Sequence, residues 1–553
     1  MFEPGVSTLS RRRAVQIAAA LSLVYFAIQL VYIWRLPLVM DEFDGANEVY
    51  SLLSFTPYKD FRPYKTVLGY YLQIPPLLLT ADPWTGFMLS KVWLALINTA
   101  AIFTATLCLA TLFTPGAALV GQTLLISVTT FLERSSELRV DMLTAWVGLA
   151  SFLLLLNRRW LLAGVVAGLS FLVSQKGVYY ALSANAAAGV FWLFESRDRR
   201  TFRDLVLLNA GAGATIAGYI ALWAIVSTPW AVFSATFLNH GAIAFAQLYD
   251  LEFHWHRTLT RNPFFYGGAL AGIVALAAAR WRGSVGSTHV MTAVYGASMF
   301  ALCRWHKQPW PYFFVILMPT LMVVHAAVGE LALRHRRWAA LTLSLALWAG
   351  VIGPFTYMPD ILARDNTYQR HVVRLARAML DEGETYVAGN DLVYDREQAH
   401  PALRRLSAPN IRAMQEWPKT RLDTVIAELE AAKPKLIIAD YRVGGLPIAL
   451  GEYLATRFDP LWSSVSGYAP LIDVSDDSFD IWFDGEYRVE SDAVAVIDDT
   501  HAASGTMVTL RHGRHRNDST APVRLRLIPA ELAKHADPAM EEKRSMFAGV
   551  YDY

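Results

Sequence analysis

Cysteine is nearly missing from this chain: Cys108 and Cys303 are the two it has in 553 residues. Both lie in or beside apolar runs. They offer no disulfide framework and no metal-ligand spacing, and packing is the role left to them. Charge is scarce too. Asp, Glu, Lys and Arg make up 17% of the chain, where about a quarter is usual for soluble globular proteins. There is no glycine-rich nucleotide motif, no internal repeat and no low-complexity tract. The absences argue against a disulfide-stapled secreted domain, a zinc module, a nucleotide-binding enzyme and a nucleic-acid binder.

What is abundant is apolar surface. Hydrophobic residues make up 54% of the chain, and apolar runs fill most of the first 357 residues and then stop. That pattern predicts a polytopic helical membrane protein with a soluble tail. Arg11 to Arg13 precede roughly twenty apolar residues, enough to span a bilayer. A secretory signal has a shorter apolar core followed by a small-residue cleavage site, so this run reads as an uncleaved first span. About 11 spans (10–13) are expected, near 14–36, 86–113, 116–131, 142–156, 160–174, 178–194, 205–227, 264–280, 287–302, 310–330 and 338–357. A half-membrane helix that re-enters fits 68–80.

The basic connections at 11–13, 157–160, 195–203, 279–283 and 334–338 all fall on one side of that span count. Short basic loops mark the cytoplasmic face. The N-terminus is therefore inside, and the tail is extracytoplasmic, beyond a bacterial cytoplasmic membrane. In the tail, "TYQRHVVRLARAMLDEG", "TYVAGND", "RLDTVIAELEAAKPKLIIADYR" and "IALGEYLATRF" alternate helix and strand, which predicts an α/β region over 358–477. From 478 the period becomes two, and 478–530 predicts a small β sandwich, within a last segment of 478–553. The transmembrane domain is 1–357.

Unusual charges gather on the outer face. The first loop holds Asp41, Glu42, Asp44 and Glu48 in eight positions, and then Lys59, Arg62 and Lys65. Carboxylates beside a bilayer are costly unless they face water or pair with a cation. Tyr and Lys at helix ends form an ordinary interfacial belt, which accounts for the aromatics of 56–79 but not for four acids. The second loop adds Glu133, Arg134, Glu137, Arg139 and Asp141. Asp141 opens an apolar helix, where a carboxylate is favourable in its own right, and Glu137 and Arg139 can pair. Lys176, Arg304, His306 and Lys307 stand against the positive-inside bias, and binding an anion is the simplest use for them. Carboxylates plus a phosphate-suited basic set fit group transfer from a phosphate-linked donor. A carboxylate takes the acceptor's proton while cations stabilise the leaving phosphate. A lipid-linked donor reaches such a site from within the bilayer. His254 and His256 have a spacing that suits a metal, but such a pair is more often just interfacial, and they stay outside the candidate site.

"MDEFDGANEVY" after a first span, followed by "PYKDFRPYKTVLGYYLQIPPLL", resembles the GT-C membrane glycosyltransferases, in the branch of protein O-mannosyltransferases and aminoarabinose lipid A transferases. "ELRVDMLTAWVGLASFLLLL" resembles that family's Arg-x-Asp lead into a later span, "HKQPWPYFFVILMP" its basic-aromatic lead into a late one, and "KPKLIIAD" a piece of its external tail. The likeness covers 14–357 well and 360–470 weakly. It implies a polyprenyl-phosphate sugar donor, an acceptor that is a lipid, a glycan or a protein, and transfer with inversion. Asp41 is then the base, with Glu42, Asp141 and Arg139 beside it; Lys65, Arg62, Lys176, His306 and Lys307 hold the lipid phosphate. Some relatives have an acidic residue before the basic stretch, implicated in metal binding. This chain has Tyr64 before Lys65, so no metal ligands and no cofactor are assigned, and a divalent metal is doubtful. The opposing expectation is a flippase or transporter, which places ionisable groups inside its spans and often shows inverted repeats. Here the spans are nearly free of charge.

Overall fold

Long apolar runs without internal proline become helices, because a chain in an apolar surrounding must satisfy its own backbone polar groups. The computed structural model describes residues 9–238, 252–334, 341–342, 344–346, 348–349, 354–542 and 546–547. The main helices are α1 (Arg11–Arg35), α2 (Met40–Ser54), α3 (Pro83–Leu112), α4 (Pro115–Ile126), α5 (Thr129–Arg134), α6 (Asp141–Leu156), α7 (Trp160–Val173), α8 (Val178–Phe191), α9 (Arg199–Trp223), α10 (Pro263–Trp281), α11 (Ser287–Trp305) and α12 (Met318–Leu333). Later in the chain come α13 (Thr367–Met379), α14 (Lys419–Ala432) and α15 (Ile448–Arg457).

Among the described residues, five helical stretches are long and apolar enough to cross a membrane: Arg11–Arg35, Pro83–Leu112, Gln175–Ser196, Arg199–Trp223 and Pro263–Trp281. Shorter apolar helices include Pro115–Ile126, Asp141–Leu156, Trp160–Val173 and Met318–Leu333. Two expected spans are interrupted. The one at 116–131 breaks between α4 and α5, and the one at 310–330 opens with a 3₁₀ turn, Pro311–Ile316, before α12. Pro311 and Pro319 both sit at the start of their helical segments, where a missing N–H costs nothing. The expected half-membrane helix is two single turns, Leu68–Tyr71 and Ile74–Leu77. The expected span at 338–357 falls largely outside the described residues, as does His240 in the fourth external loop.

The chain divides into two compact units. The first comprises 1–36, 51–79 and 88–364; the second comprises 37–50, 80–87 and 365–553. In the first unit α7 and α9 lie almost backbone to backbone. A Cβ on Gly164 would stand 1.9 Å from the Leu208 carbonyl oxygen, and one on Gly211 2.6 Å from that of Leu161. Small residues at such crossings give helices close contact where there is little hydrophobic drive to bring them together.

The second unit holds two strand systems. In one, β1 (Tyr386–Ala388) runs parallel to β2 (Leu436–Ile438), α14 lying in the connection, and β4 (Val465–Tyr468) and β3 (Phe458–Trp462) continue the sheet antiparallel in the order β1-β2-β4-β3. In the other, β5 (Leu471–Ile472), β7 (Gly485–Glu490), β10 (Met507–Leu510) and β12 (Val523–Leu527) form a sheet ordered β10-β7-β12-β5. β6 (Ser478–Ile481) pairs with β11 (Gly513–Arg516), and β8 (Ala495–Ile497) with β9 (Thr500–Ala502). The period-two pattern read from 478 onward is visible in β12, where Val523, Leu525 and Leu527 are buried and the arginines between them are not. This region is one four-stranded sheet with two paired ribbons, and the sheet recruits β5 from before 478. One apolar core continues through both strand systems, from Val387 and Ile437 to Tyr487 and Leu525.

Candidate functional site

In the first unit four of the predicted residues converge. Asp141 is the first residue of α6 and its side chain is 2% exposed. Its Oδ1 lies 2.6 Å from Lys176 Nζ; its Oδ2 lies 2.9 Å from Arg139 Nε and 3.7 Å from Lys65 Nζ. Three cations thus gather on one carboxylate. Like charges crowded this way repel one another, and a mostly buried setting strengthens both that repulsion and their attraction to an anion. Both Asp141 oxygens are engaged, so this residue organises the cations.

Aromatic rings wall the cluster. The Arg139 guanidinium stacks 3.5 Å above the Tyr312 ring. Lys176 Nζ stands 5.5 Å from Tyr312 and 5.4 Å from Phe313. His306 lies parallel to Phe313, centroids 4.0 Å apart, and its Nδ1 is hydrogen-bonded to the Tyr179 hydroxyl at 2.8 Å. Burial, and then the Lys176 charge, push the His306 imidazole down to about 3. His306 therefore joins the cluster as a neutral hydrogen-bonding ring. Cation–π contacts of this kind hold long basic side chains in place without neutralising them.

Other predicted residues of this unit make further contacts or face solvent. Arg62 Nη2 reaches Ser234 Oγ at 3.2 Å and lines a cavity of about 590 Å³ with Tyr58, Lys59, Phe61 and Trp230. Lys307 is exposed. Arg304 is bound to Glu252 at 2.6 Å on the surface. Glu137 pairs with Arg134 at 2.7 Å, and Arg139 with Asp141 instead. Glu133 takes both Arg261 nitrogens, at 3.0 and 2.7 Å. No group of three or more His, Cys, Asp or Glu side chains among the described residues converges as a metal site.

The acids of the first loop belong to the second unit, where α2 divides them. Glu42 is buried and its Oε2 accepts the Val39 N–H at 2.9 Å. That is half of a capping box, a helix-starting role. Asp41, Asp44 and Glu48 are spaced three and four residues apart and so share one face. Arg405 takes Glu48 at 2.6 Å and Asp391 at 3.0 Å, and Asp44 lies 3.9 Å away. Arg404 also binds Asp391, at 2.8 Å, and contacts Asn47. The Asp391 N–H donates to Asp44 at 3.2 Å. Asp41 remains partly exposed in the first turn, where the helix N-terminus favours an ionised carboxylate.

Asp44, Glu48 and Asp391 share the arginines of this network in a buried setting, which is costly for a carboxylate. The cost falls on Asp44, pushed up to about 7 by burial, with Arg405 opposing the rise and Asp391 and Asp41 adding to it. A carboxyl raised on folding contributes stability that is complete below its unfolded value, about 4, and is lost as pH rises through 7. Stability of the intact detergent-solubilised protein to thermal unfolding should therefore fall as pH rises from about 4 to about 7 and level off above that, with a slope no steeper than about 1.4 kcal/mol per pH unit. Asp44→Asn should flatten that dependence; an unchanged slope would assign it to another group.

Sequence reasoning passed over Tyr179, Tyr312, Asp391, Arg404 and Arg405. Tyr312 was legible in "HKQPWPY" as an aromatic beside stranded cations. Arg404 and Arg405 stand in an unremarkable stretch of the tail, and no local signal links them to residues more than three hundred and fifty positions earlier.

No family model matches the chain, and no curated protein does. Solved structures do. ArnT from Cupriavidus metallidurans in the apo state aligns with TM-score 0.56 and 12% identity, over 82% of this chain and 97% of that one. The same protein bound to undecaprenyl phosphate aligns with TM-score 0.50 and 14% identity, over 70% and 85%. The apo oligosaccharyltransferase of Archaeoglobus fulgidus aligns with TM-score 0.51 and 14% identity, over 92% and 75%. At such identities the likeness is one of fold, and that fold is GT-C.

Proposed function

We propose that a chain with the GT-C fold and this cationic cluster is a glycosyltransferase of the bacterial cytoplasmic membrane, acting at its extracytoplasmic face with a polyprenyl-phosphate sugar as donor. The observation that carries this reading is the gathering of three cations, Lys65, Arg139 and Lys176, around Asp141 at the start of an apolar helix. A phosphate monoester is the counter-anion such a cluster fits, and the undecaprenyl phosphate held by ArnT supports a lipid-linked donor.

In this mechanism Asp41 takes the proton of an acceptor hydroxyl. The freed oxygen attacks the anomeric carbon from the face opposite the phosphate. The anomeric C–O bond breaks and its electron pair leaves on polyprenyl phosphate, whose growing charge is met by Lys65, Arg139 and Lys176. One displacement inverts the anomeric centre and forms no sugar–enzyme intermediate. Acceptors compatible with this chemistry are hydroxyls of a lipid, a glycan or a protein.

The test is a panel of polyprenyl-phosphate sugars offered to the purified protein, with release of polyprenyl phosphate as readout. Release with none of them, in detergent and in reconstituted membranes, sinks the proposal. Within a positive panel, Lys176→Met removes the closest of the three cations and should lower kcat/KM for the donor by about 10- to 100-fold. Lys176→Arg should recover most of it. Equal rates for Met and wild type would take Lys176 out of the donor site.

A further inference from the structure

β1 and β2 are adjacent and parallel, so their carboxyl ends open side by side, the position where open α/β sheets place ligand-binding loops. Past β1 the chain continues with Gly389, Asn390 and Asp391; past β2 it continues with Asp440, Tyr441 and Arg442. The side chains here are unusual. Asn390 is fully buried, and neither its amide nitrogen nor its oxygen has a hydrogen-bond partner. Asp440 Oδ1 accepts the N–H groups of Arg442 and Val443, at 2.9 and 3.1 Å, while Oδ2 has none. Arg442 is buried, yet it is not consumed by a carboxylate ion pair: Nη1 donates to the Gly389 carbonyl at 3.1 Å, Nε to the Tyr441 hydroxyl at 3.3 Å, and Nη2 contacts Met40 Sδ. Met40 opens α2, and the next residue is Asp41.

A buried guanidinium is costly unless its charge has a use. Burial lowers the Arg442 value, but Tyr441 and then the Asp44 and Asp41 carboxylates raise it above the ordinary one. Space for this arrangement exists only because residue 389 is glycine. A Cβ there would lie 2.8 Å from Arg442 Cβ and 2.9 Å from Asp440 Oδ1.

We infer that Arg442, carried by the loop after β2, is a positioning residue for the Asp41 carboxylate: it sets the orientation of the first turn of α2 through Met40 and keeps Asp41 ionised at neutral pH. Charged groups that couple to Asp41 include Asp44 on its own helix and Arg442 from the β2 loop, with Arg405 and Asp391 acting on Asp44. Arg442 is the cation of the β2 loop in this set. Asp44 opposes it, and Arg405 is already shared among three acids. The inference rests on the reading of Asp41 as base, and it adds a tail residue to the transfer step.

The experiment uses the full-length protein and a polyprenyl-phosphate sugar that wild type turns over. Its readout is the pH profile of kcat/KM. Arg442→Gln should lower the rate at neutral pH by about tenfold or more and move the acid limb upward by about one pH unit, the size expected when an opposite charge near a carboxylate is removed. Arg442→Lys should return the limb most of the way, and Gly389→Ala, which leaves Arg442 in the chain but crowds it, should shift it as Gln does. A lower rate with an unmoved limb, or a Lys variant no better than Gln, would overturn the positioning role. The base reading fails separately, by full activity of Asp41→Asn whatever Arg442 variants do.

Discussion

Asp41→Asn should lower the release of polyprenyl phosphate by about 10²- to 10⁴-fold, the usual range for removing a general base. The substitution is nearly isosteric. It keeps a polar group in the first turn of α2 and takes away the proton acceptor. Its neighbours provide the contrast. Glu42 is spent on the Val39 N–H, and Glu48 and Asp44 are tied to Arg405. Glu42→Gln should therefore affect thermal stability more than turnover, because an amide still accepts the capping hydrogen bond only in its neutral, weaker form. Binding of the donor should survive in Asp41→Asn, since Lys65, Arg139 and Lys176 are untouched. A variant with wild-type turnover would remove Asp41 from the chemistry, and one that no longer binds donor would make its role structural.

The second large effect concerns the clamp on α2. Arg405 is the hub between Glu48, Asp391 and Asp44, and the Glu48 and Asp391 side chains are only 4% and 1% exposed. Removing one partner of a buried ion-pair network leaves carboxylates without a counter-charge and typically costs about 3–5 kcal/mol. Arg405→Ala should accordingly unfold at a much lower temperature, with protease cleavage appearing in 37–50 and 386–410. Arg405 also has a φ of +56°, a left-handed conformation that a side chain adopts at some cost; here three carboxylates hold it there. Arg405→Lys keeps the charge but not the fork that reaches several acids at once, and should fall between Ala and wild type. A loss of less than about 1 kcal/mol for Ala, the size of an exposed pair, would mean that the network is solvated. Arg404 still binds Asp391, which makes the Ala variant folded enough to measure.

Much of this molecule is legible without coordinates where the signal is local. Apolar runs of bilayer length, the capping threonine and proline at Thr114 and Pro115, and the alternation in 523–527 are each decided within a few residues, by backbone satisfaction and side-chain period. The grouping of Asp141 with Arg139 is local too. Adding Lys176 needed one more idea, that cations on the outer face have a purpose, and Lys65 came with the family likeness. The same idea also gathered Arg304, which is bound to Glu252, and Lys307, which is exposed; Arg62, taken from the family likeness, reaches Ser234. Side of the membrane is a coarse coordinate. It cannot tell 3 Å from 20 Å.

By itself the sequence determined that this is a multi-span helical chain with a mixed α/β and β tail, and that acids and stranded cations cluster in its loops, because burial and period are properties of short stretches. Only the tertiary structure decided which charges meet. It gave Asp141 to three cations, Glu42 to a helix cap, and Glu48 to an arginine far along the chain. The physical reason is that an ion pair forms over a few ångströms and depends on angle and burial, while residues so far apart in sequence are brought within that range by packing alone.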